Sequence, residues 1–98
     1  MFLQNELPLF YRGIVNIKLK DYEGAIKDFT QAIRINNKND ESYFYRAIAK
    51  ENSRKYDSAL KDYNSSIKIN PLEETYRSEK NRLIKLIKQD NDLSLIHI

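Results

Sequence analysis

Along most of this 98-residue chain, apolar residues recur at steps of three and four, the spacing that puts them on one face of a helix. Tyr22, Ala25, Ile26, Phe29, Ala32, Ile33 and Ile35 follow that spacing, and so do Tyr56, Ala59, Leu60, Tyr63, Ile67 and Ile69. A shorter apolar run precedes each: Leu9, Phe10, Gly13, Ile14 and Ile17 before the first, Tyr43, Phe44, Ala47 and Ile48 before the second. The pattern predicts two helical hairpins, with short turns around Lys20–Asp21 and Lys55. Two Gly and two Pro leave little punctuation for the many turns of a β-sandwich or barrel, so the expected class is all-α.

The two hairpins are copies of one unit. Sliding the sequence against itself by 34 positions aligns Glu6–Asn39 with Asp40–Glu73 without a gap. Phe10, Tyr11, Arg12, Ile14, Tyr22, Ala25, Lys27, Asp28, Ile33, Ile35 and Asn36 recur as Phe44, Tyr45, Arg46, Ile48, Tyr56, Ala59, Lys61, Asp62, Ile67, Ile69 and Asn70. About two coincidences are expected from ordinary residue frequencies, so these matches mark a duplicated structural unit. Small residues within the stripes, Gly13 with Ala25 and Ala47 with Ala59, let paired helices approach while Tyr22, Phe29, Tyr56 and Tyr63 fill the space beside them. Asn70, Pro71 and Glu73 read as an N-cap, a first-turn proline and a capping-box acid, which predicts a fifth helix through Tyr76, Leu83, Ile84 and Ile87 to about Gln89.

With this unit length, and small and aromatic residues at these offsets, the sequence resembles the tetratricopeptide repeat family. The small position of the first helix falls on Gly13 and Ala47, the aromatics of the second on Tyr22, Phe29, Tyr56 and Tyr63, its alanine on Ala25 and Ala59, its next small residue on Ala32 and Ser66, and the closing proline on Pro71. Asn37 stands at the other closing-proline position, and Asn16 and Lys50 occupy a place usually bulky and apolar. The resemblance implies an α-solenoid of helix-turn-helix repeats: one repeat over 6–39, a second over 40–73, and over 74–92 a capping helix or the start of a diverged third repeat. A third unit in register fits poorly, with Asn81 at the small position and Leu93 at the alanine.

Leu93–Ile98 reads Leu-Ser-Leu-Ile-His-Ile, the translation of CTG TCT CTT ATA CAC ATC. That string resembles a transposase-end adapter from sequencing libraries, so 93–98 is expected to be a non-native tail; an ordinary apolar helix end is the alternative. On the adapter reading the natural chain continues differently after Asp92, and Met1 is not guaranteed to be its start.

Charge narrows the partners. Lys and Arg number 17 against 14 Asp and Glu, a formal +3 with a pI near 9.1. Between Pro71 and Asp92 the cations Arg77, Lys80, Arg82, Lys85 and Lys88 are matched by Glu73, Glu74, Glu79, Asp90 and Asp92. The excess therefore lies elsewhere, interleaved with acids, and the expectation is a mixed solvated surface with neither nucleic acid nor membrane as partner. No stretch has the length of a membrane span, and residues 1–10 lack the cationic start and long apolar core of a signal peptide. Absence of Cys leaves the compartment open, with a cytoplasmic setting favoured.

Catalytic chemistry finds little to stand on. The one histidine, His97, lies in the suspect tail, and there is no Cys, so no enzyme activity, metal site or cofactor is expected. Asp28 and Asp62 recur at equivalent positions, each serving its own unit, and are assigned to surface and capping duty; Glu23 with Lys27 and Asp57 with Lys61 read as exposed helix pairs. Arg12 and Arg46 also recur, which favours a structural role.

In proteins with this repeat the first helices line a concave face. Here the resemblance assigns to that face Leu7, Phe10, Ile14, Ile17 and Lys18, then Glu41, Phe44, Ile48, Glu51 and Asn52. Phe10, Ile14, Phe44 and Ile48 would form an apolar strip of anchors for a peptide segment of a protein partner. The alternative is that Met1–Leu3 or neighbouring repeats cover the strip. The two-carboxylate clamp by which one member of the family holds chaperone tails is not carried over: its places fall on Phe10 and Ile14, Tyr45, and Thr75 and Glu79. The function implied is a protein-interaction scaffold; a structural segment of a longer solenoid, a tether for an enzyme domain elsewhere, and self-association through open helix faces are the competing readings.

Overall fold

The computed structural model describes residues 4–96, with side chains as far as Asp90. Met1–Leu3, His97 and Ile98 lie outside the described residues, as do the side chains of the 93–98 tail. Five helices follow one another: α1 (Leu7–Lys18), α2 (Tyr22–Ile35), α3 (Asp40–Asn52), α4 (Tyr56–Ile69) and α5 (Glu74–Ile96). The described residues contain no strand. The radius of gyration, 14.8 Å, exceeds the roughly 13 Å of a globule of this length, as stacking along an axis requires.

Helices α1 and α2 form one hairpin, α3 and α4 the next, each closed the same way. Lys20 and Arg54, 34 positions apart, both adopt φ 62°. The Asp21 amide donates to the Asn16 carbonyl (2.8 Å) and the Lys20 amide to that of Ile17 (2.9 Å), with Lys55 to Lys50 and Arg54 to Glu51 repeating the pattern. This is the left-handed helix stop that Gly usually supplies, here made by long cationic side chains. Outside the turns, Asn36 donates to Glu6 (3.0 Å) and Asn70 to Asp40 (3.2 Å), clipping the end of each second helix to the start of its own repeat.

Close approach within each hairpin depends on the small residues. A Cβ on Gly13 would lie 2.7 Å from the Phe29 ring. Ala25, Ala32, Ala47 and Ala59 are fully buried, as are Phe29 and Tyr63. Two apolar clusters result. Phe10, Ala25, Phe29 and Ala32 form one with Ala49 from the next repeat, and Phe44, Ala47, Ala59 and Tyr63 form the other with Tyr76 and Leu83 of α5. Tyr22 and Tyr56, expected in the core, pack half-buried against its edge.

Polar residues fix the register of each hairpin. Asp28 and Asp62 are nearly excluded from solvent, which corrects their assignment to surface and capping duty. Arg12 donates to both oxygens of Asp28 (2.8 and 2.7 Å) and Arg46 to both of Asp62 (2.7 and 2.8 Å). Asn16 adds a third donor to Asp28 (2.9 Å) and Lys50 a third to Asp62 (2.9 Å), which explains both polar residues at a place where an apolar one was expected. The expected Glu23–Lys27 pair gives way to one between repeats, Glu23 with Lys55 at 3.1 Å.

Helix α5 starts at Glu74, later than the sequence suggests, because Asn70 turns its side chain to Asp40 and leaves the capping role to Glu73, whose carboxylate accepts from the Thr75 amide (3.3 Å). Tyr76 and Leu83 occupy the positions of Ser42 and Ala49 in α3 and are buried against the second hairpin. Ser78 and Asn81 stand where Phe44 and Ala47 would pack on a following helix. Helix α5 thus has the face that docks onto the preceding repeat and a polar one beyond it.

Two outcomes follow in urea titration. Arg46→Met is expected to cost about 3 kcal/mol, because it strands a buried carboxylate, and Arg12→Met clearly less, because that arginine side chain is 63% exposed against 16% for Arg46. Gly13→Ala is expected to lose about 1 kcal/mol net, overpacking against Phe29 exceeding the gain in helix propensity, and to cost less in a Phe29→Leu background.

Candidate functional site

Helices α1, α3 and α5 are linked side by side through their side chains, forming a face distinct from the α2–α4 layer. The Tyr45 ring of α3 lies 5.8 Å from that of Phe10 in α1 and 6.3 Å from Phe29. Phe44 lies 4.8 Å from Tyr76 of α5. Further along, Arg82 of α5 clasps the Glu51 carboxylate of α3, at 2.8 and 2.6 Å.

Burial sorts the residues that the sequence assigned to this face. Phe10 and Phe44 are 5% and 8% exposed and sit inside the two clusters, so their rings serve the fold first. Ile14, Ile17 and Ile48 are half-buried, packing on those clusters and leaving an edge to solvent. Lys18 and Asn52 are exposed, the Asn52 amide turned back onto the Ile48 carbonyl (2.9 Å). Glu51 is engaged by Arg82 and by the Tyr63 hydroxyl, which donates at 2.9 Å. Leu7 is exposed at the start of α1.

Cavities border the described residues, and two of them concern this face and its surroundings. One, of about 210 Å³, opens between the starts of α3 and α5 and is lined by Glu41, Phe44, Tyr45, Glu73, Thr75 and Tyr76. The other, of about 410 Å³, lies among Asn37, Tyr43, Ser65, Lys68 and Ile69. Only Glu41 and Phe44 of the first were assigned to the face from sequence. Tyr45 was findable, since its copy Tyr11 stands one repeat earlier; Glu73, Thr75 and Tyr76 lie in the α4–α5 connection and the first turn of α5, where the repeat places Asn39, Glu41 and Ser42 but the residue types differ, apart from the acid that moves by two positions. Among the described residues no group of three or more His, Cys, Asp or Glu is placed to hold a metal ion, and no helix is long and apolar enough to cross a membrane.

Carboxylates perturb the two buried tyrosines. Burial, then Glu51, pushes the Tyr63 phenol well above its usual range. Burial, then the hydrogen bond to Asp40 (2.6 Å), does the same for Tyr76, with Glu41 and Glu73 adding to the effect. Opposed carboxylates hold the Arg82 guanidinium more firmly protonated than usual, Glu51 first and Glu79 second.

Comparison with known proteins follows this geometry. Residues 7–39 match the tetratricopeptide repeat, and the chain is similar to solved TPR domains, an α-solenoid of helical hairpins. Among solved structures it is similar to the Arabidopsis OM64 TPR domain, with a TM-score of 0.80 and 27% identity over 83% of this chain and 67% of that one. It shares its fold with the first TPR of Spaghetti (RPAP3), bound to the HSP90 peptide SRMEEVD, at TM-score 0.83 and 21% identity, covering 86% and 67%. The second TPR domain of human RPAP3, in complex with the HSP70 peptide SGPTIEEVD, aligns with TM-score 0.78 and 25% identity, covering 81% and 66%. The chain thus spans about two thirds of the length of these domains. No curated protein matches its sequence.

The tyrosines generate a pH prediction. Their folded-state values are raised, so the neutral phenol is favoured by folding, and their contribution to stability is constant up to about the ordinary value of 10.0 and falls above it as the unfolded state ionises first. Denaturation followed across alkaline pH is expected to show a shallower fall for a Tyr63→Phe/Tyr76→Phe double variant than for the wild type. That variant keeps Glu51 paired with Arg82 and Asp40 with Asn70.

Proposed function

We propose that this chain is a non-enzymatic protein-interaction scaffold that holds a peptide segment of a partner against its α1–α3–α5 face. The observation that carries the reading is the face itself: three helices linked edge to edge by aromatic and ionic contacts, with Lys18, Glu41, Asn52 and Thr75 exposed along it. Support comes from the two RPAP3 domains of the same fold, each solved with a peptide bound. Phe10 and Phe44 are reassigned from anchors to floor, because truncating rings so deeply buried would cost the core about 3 kcal/mol or more before it informed on binding. Ile14, Ile17 and Ile48 offer apolar edges above that floor, and Lys18 and Asn52 flank them.

A second reading, a segment of a longer solenoid, is favoured by one feature. Leu7, Tyr11, Val15 and Leu19, four residues apart along α1 and into its C-cap, are all exposed. The copies of Tyr11 and Val15, Tyr45 and Ala49, pack on the first hairpin instead, so the stripe has the chemistry to receive a further helix.

Bulky substitution at exposed positions separates the proposed face from the rest. A peptide selected from a random heptapeptide display library is expected to bind Lys18→Trp and Asn52→Trp about tenfold more weakly than the wild type by fluorescence anisotropy. Lys27→Trp and Lys61→Trp, exposed on α2 and α4, are expected to leave the affinity unchanged. Weakening by the second pair and not the first would reject this face.

A further inference from the structure

The cavity between α3 and α5 has a chemistry of its own. Phe44, Tyr45 and Tyr76 give it aromatic walls, the Phe44 ring lying 4.8 Å from Tyr76 and 5.2 Å, edge on, from Tyr45. Glu41 and Glu73 are the charged residues of its lining, with no Lys or Arg among them. The arginines of the two helices are engaged elsewhere: Arg46 by Asp62 and Thr30, Arg77 by the Pro71 carbonyl, Arg82 by Glu51 and Glu79. Glu41 is exposed, and among the described residues its carboxylate makes no ion pair.

Helix starts usually favour an anion, because their first amides point outward with partial positive charge. Here those amides are already answered, Glu41 N–H by the Asn39 side chain (3.1 Å) and Thr75 N–H by Glu73 (3.3 Å). The carboxylates dominate what remains. Their field reaches the cavity wall, since Glu41 and Glu73 both add to the burial and the Asp40 contact that hold the Tyr76 hydroxyl protonated.

An aromatic pocket bordered by uncompensated carboxylates is complementary to a cation, which the ring faces and the negative field attract together. We propose that this cavity receives a lysine or arginine side chain of a partner peptide, so that the chain selects a basic segment. The inference rests on the reading of the α1–α3–α5 face as the peptide site and adds the ligand's charge to it. A peptide such as SRMEEVD, held by the fold relative described above, would bring carboxylates against Glu41 and Glu73 with no free cation in the lining to meet them.

Anisotropy on the full chain with two labelled probes that share one arginine, SRMEEVD and SRMKKVK, in which the three acids are replaced by lysine, tests this, beside panning of a random heptapeptide display library. SRMKKVK is expected to bind at least about tenfold more tightly than SRMEEVD and to weaken as NaCl rises from about 50 to about 500 mM. A Glu41→Gln/Glu73→Gln variant, shown folded by its circular dichroism melt, is expected to lose about tenfold in affinity for it. Panning is expected to enrich Lys and Arg. Equal or tighter binding of SRMEEVD, an unchanged affinity in the double variant, or enrichment of acidic or uncharged sequences overturns the charge assignment while leaving the α1–α3–α5 face in place as the peptide site. If neither probe binds and panning enriches nothing, the proposed peptide-binding role of that face falls with it.

Discussion

A carboxylate withdrawn from water and answered by three donors sets the geometry of each repeat. Asp28 and Asp62 sit on the second helix of their hairpins, nearly excluded from solvent, where an unpaired charge would cost several kcal/mol. Their donors come from the first helix at positions four apart, Arg12 and Asn16, then Arg46 and Lys50. One side chain therefore fixes both the height and the rotation of one helix against the other, which nondirectional apolar contact leaves loose. Arg46 also reaches Thr30 of the preceding repeat at 3.1 Å, so the contact that orders the second hairpin ties it to the first.

Stacking then follows from how each helix divides its faces. In α3, Phe44 and Ala47 face the second hairpin's own core, while Ala49 and Tyr45 pack on the hairpin before. In α5 only the backward-facing set survives, as Tyr76 and Leu83, and the forward set is polar. In α1 the situation is reversed: the forward set is buried as Phe10 and Gly13, and the backward set stands exposed as Tyr11 and Val15. Within the described residues, α5 therefore presents polar Ser78 and Asn81 at one end of the stack where α1 presents apolar Tyr11 and Val15 at the other.

The same division shapes the α1–α3–α5 face. Residues that bridge neighbouring helices are spent on the fold, and the bridges leave over half-buried isoleucine edges, exposed Lys18 and Asn52, and the cavity where two helix starts converge, which is where the proposed ligand would sit. Acids enriched at helix starts stabilise those helices through the backbone dipole and, once the amides are capped by neighbours, leave a negative field at the ligand side. On the proposed reading, stability and ligand charge are set by the same few residues.

By itself the sequence determined the five helices, the two-fold repetition, the small residues that admit Phe29 and the docking face of α5. Each of these is a periodic signal, and a 34-residue copy doubles it. It also showed Arg12, Asp28, Arg46 and Asp62 as recurring residues but not as partners, because charge residues at helical spacing look alike whether solvated or buried. Only the tertiary structure decided that Asn16 and Lys50 complete buried carboxylates, that Phe10 and Phe44 are buried in the two apolar clusters, and that Glu41 shares a cavity with Glu73 and Tyr76. Those outcomes depend on which faces meet when helices pair within a hairpin and when hairpins stack, relations between residues from 12 to more than 30 apart that no local pattern encodes.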